Sequence, residues 1–335
     1  MSFGESELRK PGVYLSLIAA WNVEGKTVAG GNYDHDLDKF DCACCSKGLV
    51  NPNEMTFPQY GHLRRPNGIC IDINDKDALY VIDSRTEVLV KYKNGSLQGE
   101  IVVSGGKSHG TNELSSPQYV TVDPKDGTLF ISDWSKEQIY CKRHNNNNSY
   151  KIKLNYSPRG LALSEDHLFV ADNYQCVFRY DKNGQNKTLV AGRQEERGDG
   201  LHQLNQPQQI FVDEKENVYI ADTWNHRIMK WTKNAEEGGE VVAGGNGSGS
   251  NLNQLNAPHS VFVDRQGSIY IADSNNHRIV RWLKGAKSGE IIGPRGGGGN
   301  LSNQLGLVHD LAFDHKGNLY VSDSSNHRVQ MFSLI

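Results

Sequence analysis

"YIADTWNHRIMKW", residues Tyr219 to Trp231, decides how the rest of the chain is read, because it returns. "YIADSNNHRIVRW" begins at Tyr270 and "YVSDSSNHRVQMF" at Tyr320. In each copy an apolar run ends in Asp, a polar turn closes on Asn-His-Arg, and a second apolar run follows. Short runs rich in Val, Ile, Tyr and Phe between turn residues are strand signals. Each copy is therefore a pair of strands joined by a turn.

Working outward, the Asp that ends the first run recurs at Asp83, Asp133, Asp172, Asp222, Asp273 and Asp323, with spacings of 50, 39, 50, 51 and 50. A near-constant period over six units means a repeat architecture, which has to be settled before any motif is read as a site. Each unit opens on a turn residue and an apolar run: "PNGICID" at Pro66, "PQYVTVD" at Pro117, "PRGLALS" at Pro158, "PQQIFVD" at Pro207, "PHSVFVD" at Pro258 and "VHDLAFD" at Val308. A fourth run such as "EVVAGG" closes most units. The runs are almost continuously apolar, as expected of sheets covered on both faces. The reading is an all-β, six-bladed β-propeller of four-stranded antiparallel blades.

The sixth unit stops at Ile335 after its third strand, and the missing strand stands at the other end of the chain. "KTVAGG", Lys26 to Gly31, matches "KTLVAG" and "EVVAGG". The last blade is thus expected to be closed by an N-terminal strand, which removes the open sheet edge at the seam. The expected layout is an N-terminal extension over 1–25 and a propeller over 26–335 with a long insertion at 32–65.

The "D-x-x-N-H-R-[IV]" turn, the "VAGG…QLN-x-P" linker and the near-50 period resemble the NHL-repeat propeller family. The resemblance covers about residues 26–335 and is strongest in units four to six. Units one to three carry "SRTEVLVKY", "WSKEQIYCK" and "NYQCVFRY" in place of Asn-His-Arg. It implies a rigid disc presenting loops to a partner, often beside other domains; read as it stands, the sequence is expected to be a stand-alone module.

Asn-His-Arg itself reads as a structural device. Asn tolerates left-handed backbone and bonds its own turn, so Asn225 is expected to take that conformation. Asp222 and Arg227, five residues apart, are placed to pair. His226, His277 and His327 fall on different blades and are not expected to converge on one ion.

Function is sought instead where the repeat gives no reason for a polar residue. The position after each unit's opening residue holds Asn67, Gln118, Arg159, Gln208, His259 and His309, all polar and all expected near one mouth of the central channel. This is either a solvated rim or a ligand site, since the mouths of closed β-structures often hold ligands. The expected partner is a protein, peptide or glycan, and the module is expected to be non-enzymatic, without catalytic residue, cofactor or metal. The alternative is a metal-dependent lyase or hydrolase; a further one, RNA binding as in some NHL-like proteins, is disfavoured by the near-neutral charge. Peptidyl-hydroxyglycine amidating lyases resemble these propellers and carry zinc on three histidines; His259 and His309 match two such positions, and a third is missing. Catalytic zinc wants three protein ligands and an open position.

The insertion holds "DCACC", the acidic "DHDLDKFD" (Asp34 to Asp41) and "FPQYGHLRR". Its Phe57, Tyr60, Arg64 and Arg65 suit a protein interface, and the insertion reads either as a binding loop or as a structural cover over the channel or a rim. The acidic run lacks the Gly and the closing Glu of a calcium loop. Cys42, Cys44, Cys45, Cys70, Cys141 and Cys176 read as loop disulfides or free thiols. Net charge is −3, with basic residues scattered among acids, so nucleic-acid binding is not expected. "VYLSLIAAW" is too short for a membrane span and makes a poor signal peptide. Six Asn-x-Ser/Thr sequons, at Asn94, Asn147, Asn155, Asn186, Asn246 and Asn300, lean the expected compartment towards extracellular.

Overall fold

The apolar runs form strands where the sequence places them, and each set of four pairs into one antiparallel sheet. The computed structural model describes residues 20–31, 62–105, 113–144, 148–233, 235 and 238–335. The acidic run, Cys42, Cys44, Cys45, Phe57, Tyr60 and the sequon at Asn147 lie outside the described residues.

Blade one is β2 (Pro66–Asp72), β3 (Ala78–Asp83), β4 (Val88–Tyr92) and β5 (Gly99–Ser104). Blade two is β6 (Pro117–Val122), β7 (Leu129–Asp133), β8 (Gln138–Lys142) and β9 (Ser149–Lys153). Blade three is β10 (Pro158–Leu163), β11 (His167–Asp172), β12 (Cys176–Asp181) and β13 (Thr188–Gly192). Blade four is β14 (Pro207–Val212), β15 (Val218–Asp222), β16 (Arg227–Trp231) and β17 (Glu240–Gly244). Blade five is β18 (Pro258–Val263), β19 (Ile269–Asp273), β20 (Arg278–Trp282) and β21 (Glu290–Ile292). Blade six takes β22 (Val308–Phe313), β23 (Leu319–Asp323) and β24 (Arg328–Phe332) from the C-terminal end and β1 (Lys26–Gly30) from the N-terminal end.

The seam is antiparallel, with Lys26 opposite Met331, Thr27 opposite Gln330 and Gly30 opposite Arg328. Trp21 completes it from outside β1. Its ring is 4% exposed and meets Tyr270 edge-on at 5.8 Å, and its Nε1–H donates to Gly317 O at 2.8 Å. The core is divided among the blade interfaces. Ile69, Leu79 and Val81 of blade one pack with Tyr320 and Val329 of blade six, as Tyr270 and Ile279 of blade five pack with Leu311 and Val321. Sheets apolar on both faces need a neighbour on each side, and a closed ring supplies it.

The Asn-His-Arg turn confirms one expectation and corrects another. Arg227 Nε donates to Asp222 Oδ2 at 2.7 Å, and its two terminal nitrogens donate to Asp199 O, Gly200 O and Gln203 O in the linker. Arg278 and Arg328 repeat this on their own blades. The five-donor fork of Arg suits such a hub. The left-handed residue, however, is the histidine and not the asparagine: His226, His277 and His327 have φ of 52°, 54° and 56°. The asparagine sits inside the preceding 3-10 turn, and its amide bridges the aspartate and a linker carbonyl, as Asn225 Nδ2 does to Asp222 and Gly198 O at 2.8 Å each. His is also enriched in left-handed backbone. Blades one and two keep the conformation without the motif, at Glu87 and Glu137.

The histidine rings reach the next blade. Ala257 N–H donates to His226 Nδ1 at 3.1 Å, His277 Nδ1 lies 2.8 Å from Gly306 O, and His327 Nδ1 contacts Arg64 O. The last contact crosses from blade six to the segment leading into blade one, so the motif also ties the closing interface.

Glu216 ties blades three and four. Its carboxylate accepts from Ser164 Oγ at 2.8 Å, lies 2.7 Å from His167 Nδ1 and pairs with Lys233 at 2.7 Å. Partial burial raises this carboxyl, but the bonds from Lys233, His167 and Ser164 outweigh it and bring it down to about 2. A depressed carboxyl stabilises the fold above its unfolded value and loses that contribution as pH falls through its folded one. Glu216→Gln should therefore cost about 1–2 kcal/mol at pH 7, discounted for the half-exposed Lys233. The gap from wild type should close between pH 4.5 and about 2 in urea unfolding series; a gap that persists at pH 2 would contradict this.

Candidate functional site

The first strands of neighbouring blades touch all the way round the ring, so they line its axis. The second residue of each, the polar position of the repeat, is Asn67, Gln118, Arg159, Gln208, His259 and His309. Asn67, Gln118, Gln208 and His309 are buried, and Arg159 and His259 are half-buried. Two clusters form. Arg159, on blade three, donates to Gln118 Oε1 of blade two at 3.0 Å and to Asn173 Oδ1 at 2.7 Å, and its guanidinium lies 5.9 Å from the Trp134 ring. His259 and His309, on blades five and six, meet edge-to-face with centroids 5.1 Å apart. His309 also lies 5.3 Å from Tyr119 of blade two, so side chains meet across the axis. Asn67 Oδ1 receives a long 3.5 Å contact from Ser324 Oγ, and Gln208 makes no hydrogen bond to the other five.

The electrostatics of the mouth are set by arginine and burial. Burial, then Arg159 and Arg65, brings His259 down to about 4. Burial, then His259, Arg159 and Arg65, holds His309 well below the usual imidazole range. Both rings are neutral at pH 7, and the Nδ1 atoms of both are buried with no hydrogen-bond partner among the described residues.

One residue further along, small and large side chains alternate round the axis. Gly68 faces Tyr119, Gly160 faces Gln209, and Ser260 faces Asp310. A Cβ on Gly68 would stand 2.6 Å from Tyr119 Cα, and one on Gly160 would stand 2.3 Å from Gln208 O. Gln209 Oε1 accepts from Leu161 N at 2.9 Å, a bond from blade four to blade three. Asp310 joins three blades: it accepts from Ser260 Oγ at 2.6 Å, from Ile69 N at 2.9 Å and from its neighbour Leu311 N at 2.9 Å. Burial pushes its carboxyl up to about 7 against those three bonds. The axis is filled at this level by Tyr119, Gln209 and Asp310, all buried, so the mouth is a cup with a floor.

Beside the two histidines lies a cavity of about 250 Å³, bounded also by Arg64, Arg65, Arg85 and His327. Arg64 and Arg65, read from sequence as part of an interface loop, thus stand at the mouth, while Phe57 and Tyr60 lie outside the described residues. Sequence reading missed Tyr119, Asp310 and Arg85. A signal existed for the first two: they are the aromatic and the acid at the position directly after the polar one, inside an otherwise apolar run.

Other chemistry is sparse. Among the described residues no three His, Cys, Asp or Glu side chains gather closely enough to hold a metal ion. Cys70, Cys141 and Cys176 are free thiols, each pushed up to about 12 chiefly by burial, which makes them poor nucleophiles. Among the described residues no helix is long and apolar enough to cross a membrane.

The NHL repeat family model matches residues 255–282 and 305–332, which span the inner linker and first three strands of blades five and six. NHL repeat-containing protein 2 of Bos taurus is 31% identical over 164 residues, covering 40% of this chain and 22% of that protein. The chain thus spans under a quarter of the length of that relative. Among solved structures, an auxiliary nutrient binding protein from Bacteroides ovatus superposes with a TM-score of 0.69 at 15% identity, covering 95% of this chain and 77% of that one. A gluconolactonase from Xanthomonas campestris superposes with a TM-score of 0.60 at 14% identity, covering 83% and 88%. At such identities the likeness is one of fold alone. These matches show NHL repeats at residues 255–282 and 305–332, in blades five and six of a six-bladed β-propeller.

Proposed function

We propose that the propeller is a non-enzymatic binding module whose channel mouth receives part of a peptide or protein partner. The observation that carries this reading is the pair of polar clusters on the inner strands, Arg159 with Gln118 and His259 with His309, the second beside a cavity that Arg65 also bounds. A small concave site with a few fixed polar groups on a rigid scaffold is what recognition needs. Catalysis would need more: among the described residues no carboxylate is bonded to Nδ1 of His259 or His309 to orient the ring as a general base. The near-neutral charge gives no support to nucleic-acid binding.

A displayed random-peptide library selected on the immobilised protein tests this. Peptides enriched on wild type should lose binding to His259→Ala and Arg159→Ala, and both variants should keep the wild-type circular dichroism spectrum. Zinc near one per chain after purification, lost in His259→Ala, would overturn the module reading in favour of a metal-dependent enzyme.

A further inference from the structure

The cavity beside the histidines is basic on its described walls. Arg64 and Arg65 stand on the segment leading into blade one, and Arg85 on the turn after β3. His259 and His309 come from β18 and β22, and His327 from the turn before β24. No Asp or Glu is among the described residues that bound it. The acids of the adjoining turns are already engaged. Asp83 accepts from the backbone amides of Arg64 and Arg65 at 2.9 and 3.0 Å, and Asp323 pairs with Arg328 at 2.8 Å. In a chain with net charge −3, a concavity bounded by three arginines, with no Asp or Glu among its described lining residues, is locally basic.

His259, His309 and Ser325 on its wall keep capacity to donate. His309 is 8% exposed, and its Nδ1, like that of His259, is buried without a hydrogen-bond partner among the described residues. An unmade bond of this kind costs about 1–3 kcal/mol, so buried polar atoms are normally satisfied. Ser325 Oγ, on the same wall, accepts from Leu307 N at 2.8 Å, which leaves its hydroxyl proton to donate. Arg65 is exposed and stands close enough to His259 and His309 for its charge to act on both. Burial first, and then Arg159 and Arg65, keep the imidazoles neutral, so each ring can offer an N–H without adding a competing cation. The volume of about 250 Å³ lies just below the range of drug-sized pockets, roughly 300–1,000 Å³. It admits one small group rather than a whole large ligand.

We infer that this cavity is a receptor for a compact oxyanion, a carboxylate or phosphate group at the end of a larger ligand. Arg65 and Arg85 supply the charge, and His259, His309 and Ser325 supply neutral donors. The inference deepens the channel-mouth reading and rests on it: the partner would enter the mouth acid-first. Binding of this kind uses charge-assisted hydrogen bonds and weakens with salt.

Calorimetric titration with inorganic phosphate and with succinate, at constant ionic strength against sodium chloride, tests it. At least one of the two should bind wild type saturably, and the tighter one identifies the group. Arg65→Glu, at an exposed position, should weaken that binding at least about 10-fold, as expected for losing a charged hydrogen bond. His309→Ala should weaken it as well, and Arg193→Ala, on the linker after β13, should leave it unchanged. Should His309→Ala fail to fold, Arg65→Glu still decides. Absence of any binding beyond chloride, or equal binding by wild type and Arg65→Glu, overturns the inference. Library-selected peptides that occupy the mouth but carry no acid, and that neither anion displaces, would sink the inference while the module reading stands. Phosphate or succinate binding without any selected peptide would do the reverse.

Discussion

Removal of residues 1–31 should leave the protein unable to persist as a soluble monomer, or lower its melting temperature by more than about 10 °C. The deletion takes β1 from blade six and exposes the backbone of β24, which pairs with it from Arg328 to Met331. An unpaired, flat edge is a template for association. The same deletion removes Ala29, fully buried against blade one, and Trp21, whose ring fills the interface of blades five and six. Trp21→Ala alone should cost about 3–5 kcal/mol, the usual penalty for truncating a buried Trp. Differential scanning calorimetry and light scattering read the two effects. Truncated protein that is monomeric and melts as wild type does would show that the ring closes without this strand.

The second large effect is expected at Asp310. Asp310→Ala strands Ser260 Oγ and the amides of Ile69 and Leu311, all buried. Unsatisfied buried donors cost about 1–3 kcal/mol each, so a loss of about 3–5 kcal/mol is expected at pH 5, with some relief from relaxation. The pH dependence carries a sign that separates this residue from Glu216. The Asp310 carboxyl is raised from 3.8 to about 7 by burial. In the folded state it therefore holds a proton that the unfolded chain has released. Its contribution is fully present below 3.8, declines as pH rises, and is gone once pH passes about 7. That rise corresponds to at most about 4 kcal/mol. Urea unfolding from pH 4 to 8 should show wild-type stability falling and then levelling, with the fall absent in Asp310→Ala. An unchanged slope in the variant would assign the titration elsewhere.

Much of this molecule was legible in a single sequence, because what was legible is local. The six Asp positions, the apolar runs between turn residues and the match of "KTVAGG" to the other fourth strands sufficed for blade number, strand order and the closing strand. Alternation of apolar runs and turns records strand formation residue by residue, and a repeated unit that cannot cover its own faces must stack on copies of itself. The pairing of Asp222 with Arg227 was legible for the same reason, since five residues of tight turn leave the two little freedom. Within that turn the left-handed residue was misplaced. Asn and His both tolerate the conformation; in the fold Asn225 bonds Gly198 O, 27 residues away, and the next residue takes the left-handed backbone, as Glu87 and Glu137 do in blades one and two.

The site was legible only as a row of positions. Composition shows that Asn67, Gln118, Arg159, Gln208, His259 and His309 are polar where an apolar residue would serve. It does not show that Arg159 turns to Gln118, that His259 and His309 meet edge-to-face, or that His309 reaches Tyr119 of blade two. Nor does it show that Arg65 and Arg85 stand beside histidines about two hundred residues later. Those meetings depend on rotamers chosen in a crowded axis, on small–large pairs such as Gly68 with Tyr119, and on ring closure that joins blade six to blade one through Asp310. The chain by itself determined the blades and their order, since strands and turns follow from neighbouring residues. Only the closed ring decided which polar side chains face one another, because contact across an axis follows from the geometry of all six blades at once.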